Sequence, residues 1–95
     1  MLFNKPLYWT KKAQKDLRRL EEYIAQDKPA AAAKMVLKIV QATEGIRAFP
    51  LSYEAVDVQR PQYRQMVKKP FVVLYEVTDR EIVILRVVHT STRWK

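Results

Sequence analysis

The chain has 95 residues, which is enough for one domain over residues 1–95 with a modest core and leaves no room for a second. It contains no cysteine and a single histidine, so the sequence excludes a disulfide scaffold, and we expect neither a metal site nor a cofactor. Eighteen basic against ten acidic residues give a net charge of +8, which favours an acidic partner, although a basic surface can also serve solubility alone.

The sequence has no segment with the character of a targeting or membrane signal. No apolar stretch reaches the roughly 20 residues that span a bilayer. The first nine residues also lack the long apolar run of a signal peptide. We therefore expect a cytoplasmic protein that does not bind membranes.

The first half of the chain predicts a short strand followed by two helices. Leu7–Trp9 is a short apolar strand candidate, and Thr10 is suited to cap the helix that follows. Apolar residues recur at helical spacing over residues 11–26, and a second helix is predicted over residues 29–47, with Asp27 as its cap. The short link between them predicts an antiparallel helical hairpin.

The second predicted helix has an apolar stripe and a weak last turn. Gly45, the only glycine, costs about 1 kcal/mol relative to alanine inside a helix. Phe49 and Pro50 end the helix. The stripe consists of Val36, Ile39, Val40, Thr43 and Ile46.

The second half of the chain predicts three strands. Residues 51–62 are irregular, whereas residues 63–67, Phe71–Val77 and residues 81–89 have strand character and short connections. Such strands form an antiparallel meander. The order β-α-α-β-β-β therefore predicts an α+β domain, in which the N-terminal helical hairpin packs on one face of a small, mainly antiparallel sheet.

A charged arginine interrupts the last strand. Because side chains alternate along a strand, Val83, Leu85, Val87 and His89 are expected to face the helices. Arg86 is then expected on the open face, beside a polar cleft or in a structural ion pair, since a buried unpaired charge is costly. If Arg64 and Lys68 share that face, the three cations form a cluster, which Glu76 could partly neutralise.

The first predicted helix carries its charges in the order opposite to that favoured by its dipole. Basic residues crowd its start, and Glu21 and Glu22 lie near its end. Each misplaced charge costs roughly a few tenths of a kcal/mol, and pairs such as Arg18–Glu22 offset part of that cost. A solvated face is one interpretation. The other is a basic ridge for an acidic partner, formed by Lys11, Lys12, Lys15, Arg18 and Arg19.

The case for an enzyme depends on a few basic residues and one histidine. His89 could act as a general acid or base, but a lone histidine at a strand end is more often structural. No serine or cysteine lies in a nucleophile motif, and one glycine cannot build a phosphate loop. Basic side chains could still support metal-independent RNA cleavage by the 2′-hydroxyl.

A series of short motifs follows a fixed order along nearly the whole chain. They are Ala13-x-x-Asp16-Leu17 with Tyr23-Ile24, Ala32/Ala33, Phe49-Pro50, Tyr63-Arg64, the strand over residues 71–75, and Ile84-Leu85-Arg86-Val87-x-His89. In this order and spacing the chain resembles the RelE/ParE superfamily of small bacterial toxins. The Asp-Leu…Tyr-Ile helix and the last motif resemble the ParE branch more than the ribosome-dependent ribonucleases.

This resemblance implies a toxin of a type II toxin–antitoxin pair, of the kind linked to plasmid stabilisation, that is neutralised by a cognate protein antitoxin in a hetero-oligomer. In the ParE branch the implied target is DNA gyrase and no enzymatic activity is implied. In the RelE branch the implied activity is cleavage of messenger RNA on the ribosome, for which Arg64, Arg86 and His89 would be the catalytic set. A binding module that has kept the fold without toxicity is a third alternative.

Two surfaces follow as expectations. The basic ridge at the start of the first helix is expected to bind the acidic antitoxin. Target contact is expected from Arg64, Arg86 and His89, together with Arg93 and Trp94 in the tail, because arginine and tryptophan often anchor protein interfaces. The sequence departs from its relatives at Leu51-Ser52-Tyr53-Glu54, where many have Gly-Arg, and at Gln62, where many have glycine.

Overall fold

The computed structural model describes residues 5–90 and confirms the α+β architecture. Two helices pack on one face of a five-stranded sheet whose strand order is β1-β5-β4-β3-β2. β1 pairs with β5 in parallel, and the other three pairs are antiparallel. The elements are β1 (Leu7–Trp9), α1 (Lys11–Ala25), α2 (Pro29–Ala48), β2 (Glu54–Ala55), β3 (Tyr63–Lys68), β4 (Phe71–Val77) and β5 (Ile82–His89).

The sheet contains one strand that the sequence did not predict. β2 has two residues, which pair with β3 as Glu54↔Gln65 and Ala55↔Arg64. A strand this short has no measurable alternation, so only its pairing with β3 defines it. Within residues 5–90, neither helix is long and apolar enough to cross a membrane.

The start of α1 is tied to the last strand. The Thr10 hydroxyl accepts a hydrogen bond from the Ala13 amide at 3.0 Å, which confirms the predicted cap, and it donates to the Leu85 carbonyl at 3.1 Å. The Thr10 amide also donates to the Ile84 carbonyl at 3.0 Å. One residue therefore ends the pairing of β1 with β5 and begins the helix.

The predicted cap of α2 is wrong. Lys28 occupies the N-cap position and makes no side-chain cap hydrogen bond, and Pro29 opens the helix. The amides of Asp27 and Lys28 both donate to the Ile24 carbonyl, at 3.2 and 2.9 Å. The link is thus an extra turn at the end of α1, which places Asp27 one residue too early to cap α2.

The main core lies between the helices and the sheet. Val40, predicted in the α2 stripe, is 42% exposed, and Met35 faces the core instead. A smaller apolar cluster on the other face of the sheet joins Val72, Leu74 and Val88, with Val56 packed against them. The buried residues of the main core are Ala13, Met35, Ile39, Ile46, Met66, Phe71, Val73, Tyr75, Ile82, Ile84 and Val87.

The predicted faces of β5 are wrong in its first half. Ile82 and Ile84 belong to the helix-side core, and Leu85 is the extra residue of a bulge, because Tyr75 pairs with Ile84 whereas Leu74 pairs with Arg86. A bulge adds one residue to a strand and so reverses the alternation beyond it. Val87 therefore also faces the core, as predicted.

Candidate functional site

The candidate site forms where α1 runs along the edge of β5. β1 pairs only with the first three residues of β5, Ile82–Ile84, and β5 continues to His89. Beyond that point α1 takes the place of β1 beside the strand. Side chains from the start of the chain thereby meet the motif at its end.

Asp16 of α1 holds Arg86 through both carboxylate oxygens. The Arg86 Nε donates to Oδ2 at 2.8 Å and Nη2 donates to Oδ1 at 3.1 Å. The Val87 amide donates to the same Oδ2 at 3.0 Å. The Asp16 side chain is 11% exposed and that of Arg86 is 36% exposed. The hydrogen bonding of Arg86 to the Asp16 carboxylate raises the pKa of Arg86, and partial desolvation opposes the rise.

Both of the alternatives left open for Arg86, a structural ion pair and a polar cleft, are found in the structure. The arginine does not extend freely from an open face, because its guanidinium is engaged by a structural ion pair with α1. It nevertheless borders a polar depression of about 300 Å³. Five cations surround one carboxylate there, since the lining residues are Lys11, Lys12, Lys15, Asp16, Arg19 and Arg86.

The predicted basic ridge is thus largely one surface. Arg18 is the exception, because it is exposed but lies outside the lining of this depression. Asp16 is the only carboxylate in the lining, and its charge is already paired with Arg86. The remaining lysines and Arg19 give this part of α1 an excess of positive charge, which attracts anionic groups.

A second depression of about 350 Å³ adjoins the first and leads towards the end of β5. It shares Asp16, Arg19 and Arg86 with the first depression. The His89 ring stands at 90° to the Phe71 ring, with 5.9 Å between centroids. The two depressions together are here called the α1–β5 face. The second adds Leu20, Tyr23, Val87, Val88 and His89.

Arg64 lies elsewhere, so the condition for a cluster of Arg64, Lys68 and Arg86, that they share one face, is not met. The Arg64 Nη1 donates to the carbonyls of Tyr53 at 2.8 Å and Leu51 at 3.3 Å, which fixes the segment after α2. Its partner in β4 is Tyr75, whereas the partner of Arg86 is the preceding residue, Leu74. Consecutive residues of a strand point to opposite faces, so the two arginines belong to different faces of the sheet.

For Arg86, the alternative of neutralisation by Glu76 gives way to Asp16, since Glu76 is opposite Tyr63 and Val83 in the sheet and Arg86 is paired with Asp16.

Asp16 is part of the sequence motif, but the sequence analysis predicted no role for it. The need for such a residue could have been inferred, because an arginine within an apolar strand requires a carboxylate partner. The predicted target residues Arg93 and Trp94 lie outside the described residues.

Within residues 5–90, no group of three or more His, Cys, Asp or Glu side chains is arranged to hold a metal ion. The charged side chains that line the α1–β5 face offer electrostatic interactions. Arg86 and His89 are brought into one depression, with Arg19 beside them. Such a set can bind and orient an anionic group or an acidic side chain.

Comparison with known proteins gives the family. The model of the ParE toxin of the type II toxin–antitoxin system parDE matches residues 7–94. The toxin RelE2 of Caulobacter vibrioides is 31% identical over 84 residues, covering 87% of this chain and 92% of that protein. The Y4kP protein of Sinorhizobium fredii is 28% identical over 90 residues, covering 95% of this chain and 93% of that protein.

Solved structures share the fold. A chain of the chromosomal ParDE system of P. aeruginosa superimposes with a TM-score of 0.78 at 26% identity, covering 90% of this chain and 96% of that one. A chain of the toxin–antitoxin complex RelBE2 of Mycobacterium tuberculosis gives a TM-score of 0.70 at 19% identity, with 94% of each chain covered. The extended match to the family model carries the assignment: the chain belongs to the ParE toxin family of type II toxin–antitoxin systems.

Proposed function

We propose that this toxin arrests growth by binding DNA gyrase through the α1–β5 face and acts without catalysing a reaction. The observation that carries the proposal is the separation of Arg64 from Arg86. Arg64 is bound to backbone carbonyls after α2, and its Nε is buried without a hydrogen-bond partner among residues 5–90. A ribonuclease set of Arg64, Arg86 and His89 would need these groups around one scissile phosphate.

One observation favours ribosome-dependent cleavage of messenger RNA as the second candidate. Arg86 and His89 line the same depression, and the basic residues of α1 are adjacent. That arrangement suits an RNA backbone, because lysine and arginine neutralise phosphates. Arg86, however, donates two of the five N–H groups of its guanidinium to Asp16, which leaves fewer to stabilise a developing negative charge.

We further propose that a cognate antitoxin binds the basic ridge of α1 and so covers Arg86. The solved relatives from P. aeruginosa and M. tuberculosis are named as toxin–antitoxin systems, which supports a partner of this kind. Residues expected to bind the antitoxin and a residue expected to contact the target share one surface, since Arg86 lies among Lys11, Lys12, Lys15 and Arg19. A bound acidic segment would neutralise the toxin by occupying the surface that the target needs.

Two assays on one purified protein test the target. The wild-type toxin should inhibit supercoiling of relaxed plasmid by gyrase, and Arg19→Glu should relieve that inhibition. Primer extension on translated messenger RNA should show no new cleavage sites. Cleavage that is lost in Arg86→Ala and His89→Ala would establish the second candidate instead. Normal growth after induction, with neither effect, would indicate a binding module that has lost toxicity.

A further inference from the structure

The first depression of the α1–β5 face is lined by charged side chains alone. Within it Asp16 and Arg86 form an ion pair with each other, so their charges cancel. The other four lining side chains are exposed, and within residues 5–90 none of them forms an ion pair. The depression therefore presents four unneutralised positive charges and no apolar side chain. These four, here called the cation row, are Lys11, Lys12, Lys15 and Arg19.

The cation row follows the axis of α1. Lys11, Lys15 and Arg19 succeed one another at four-residue intervals, which are about 6 Å each along a helix axis, so they extend over about 12 Å. Lys12 lies next to the first of them in the chain. Each strand of duplex DNA carries one phosphate per about 3.4 Å of its axis. A row of this length therefore faces three or four phosphates of one strand, which matches the number of cations in the set.

The position of the cation row is unfavourable for α1 by itself. The helix has no acidic residue in its first turn and no basic residue in its last turn. Because the positive end of the helix dipole lies at the N-terminus, it repels Lys11 and Lys12. The same dipole adds to the field that attracts an anion from outside. The charges that disfavour this end of the helix thus strengthen its attraction for an anionic partner.

The composition of the lining favours a phosphate backbone over a protein. The centre of a protein interface is depleted in lysine and depends on aromatic or apolar anchors. A protein docked in the first depression alone would find no such anchor, whereas phosphate contacts need only donors and positive charge. The described lining also has no aromatic side chain on which an unpaired base could stack, which favours a duplex over a single strand.

The second depression has the opposite character. It adds the apolar residues Leu20 and Val87 and the aromatic side chain of Tyr23, which is 74% exposed. Tyrosine is enriched among the residues that anchor protein interfaces. The α1–β5 face is therefore divided into one part that suits nucleic acid and one part that suits protein.

We propose that the cation row binds the phosphate backbone of the duplex DNA that gyrase holds, while the second depression contacts gyrase itself. The proposal rests on the proposed function and names a second component of its target. The toxin then bridges the enzyme and its DNA. Its affinity for the complex of the two exceeds its affinity for either one, because linked contacts raise the effective concentration of the second contact.

Titration of a fluorescent duplex with the full-length toxin tests the DNA contact without gyrase. The probe is a short duplex of mixed sequence, and anisotropy reports binding. Measurements at several salt concentrations give the slope of log affinity against log salt. Four phosphate contacts predict a slope of about −3.6, which corresponds to a loss of affinity of about a hundredfold between about 50 and 200 mM salt.

Two matched pairs of glutamine variants locate the contact. Lys15→Gln and Arg19→Gln each remove one charge from the cation row, and Lys34→Gln and Arg18→Gln each remove one from an exposed helical position outside it. Each row variant should make the slope shallower by about 1, and each control should keep the wild-type slope. Melting temperatures report folding, which glutamine at an exposed helical position preserves.

Equal slopes within both pairs would overturn the proposal. So would tighter binding of a single-stranded RNA of the same sequence than of the duplex, because the row would then be a contact for messenger RNA.

A second measurement separates this proposal from the proposed function. Binding of the toxin is compared for gyrase alone and for gyrase bound to DNA. The loss of affinity in Lys15→Gln should be several-fold larger for the complex with DNA. An equal loss in both cases would overturn the proposal and leave gyrase as the target, since the row would then contact protein. Failure of the wild-type toxin to bind gyrase in either form would count against the proposed function, whereas the duplex titration would still decide the DNA contact.

Discussion

Asp16 is the residue on which the geometry of the α1–β5 face most depends. Its carboxylate accepts two hydrogen bonds from the Arg86 guanidinium and one from the Val87 amide. The carboxylate thereby gives the Val87 amide the acceptor that a neighbouring strand would otherwise provide at the edge of β5. Asp16 is therefore a positioning residue, which fixes the Arg86 side chain against α1.

Substitution of Asp16 should destabilise the fold. Asp16→Ala leaves the Val87 amide without its acceptor and Arg86 without its partner, at a cost of about 2 kcal/mol. Asp16→Asn keeps one acceptor and should cost about 1 kcal/mol, since the half-exposed Arg86 is partly screened by water. Urea unfolding measures both, with Glu21→Gln as the control at an exposed position of α1. An Asp16→Ala midpoint equal to that of the control would contradict this role.

Tyr75 gives the protein a defined response to alkaline pH. Its hydroxyl donates to the Pro50 carbonyl at 2.6 Å, and burial raises the pKa of Tyr75 to about 12, with the nearby Arg64 charge opposing the rise. Above pH 10 the unfolded chain ionises this tyrosine while the folded chain keeps its proton. The folded state then binds more protons, so the free energy of unfolding falls as the pH rises.

The expected loss through Tyr75 is about 2–3 kcal/mol between pH 10 and pH 12, because each unit of pKa difference corresponds to about 1.4 kcal/mol. Tyr75→Phe should remove this part of the alkaline decline and cost about 1 kcal/mol at neutral pH through the lost hydrogen bond. Unfolding curves at several pH values measure both effects. Tyr8→Phe, at an exposed tyrosine, should leave the decline in place. An identical decline in Tyr75→Phe would contradict the assignment.

At the scale of the element, Gly45 shows that a residue unfavourable to a helix can be required by close tertiary packing. From the sequence alone, this glycine is expected only to destabilise the last turns of α2. In the structure, a Cβ built on Gly45 would lie 3.0 Å from the Tyr53 hydroxyl and 3.6 Å from the Met66 Cε. The absence of a side chain therefore lets the segment after α2 return closely across the helix and reach β2.

Gly45→Ala should stabilise the protein by less than the roughly 1 kcal/mol expected from helix propensity, because the Tyr53 hydroxyl must move. Removing that hydroxyl with Tyr53→Phe should restore most of the gain, with a coupling of about 0.5 kcal/mol in the double-mutant cycle. Thermal unfolding of the two single variants and the double variant measures it. A full gain from Gly45→Ala alone, with no coupling, would show that the close approach imposes no cost.

At the scale of the whole molecule, the net charge of +8 acts together with the local arrangement of charges on α1. At about 10 mM salt the Debye length is about 30 Å and the entire charge of the protein attracts an acidic partner. At about 150 mM it is about 8 Å, so only charges close to the docking surface still contribute. Two adjacent arginines of α1 distinguish these contributions.

Arg19→Glu and Arg18→Glu change the net charge equally, but of the two only Arg19 lines the first depression of the α1–β5 face. Both should slow association with the antitoxin to a similar extent at low salt. At physiological salt Arg19→Glu should remain several-fold slower and Arg18→Glu should approach the wild-type rate. Stopped-flow association rates at the two salt concentrations test this difference. Equal rates for the two variants at physiological salt would place docking elsewhere on the molecule.

The local sequence determined the identity and order of most elements. The helical spacing of Ala13, Leu17 and Leu20 predicts α1, and the β-branched and aromatic residues of Phe71–Val77 predict β4. The Thr10 cap was predictable because a cap hydrogen bond joins residues only three apart. β2 was not, since a strand of two residues is defined by its partner.

The tertiary structure alone decided the faces of the sheet and the composition of the candidate site. Both faces of β5 are apolar, so alternation could not show which face the helices cover, and the bulge at Leu85 then reversed the pattern. Asp16 and Arg86 are 70 residues apart in the chain and meet only because α1 follows β5 where β1 ends. Periodicity records interactions within a few residues, whereas an ion pair between the two ends of a chain depends on how its elements pack.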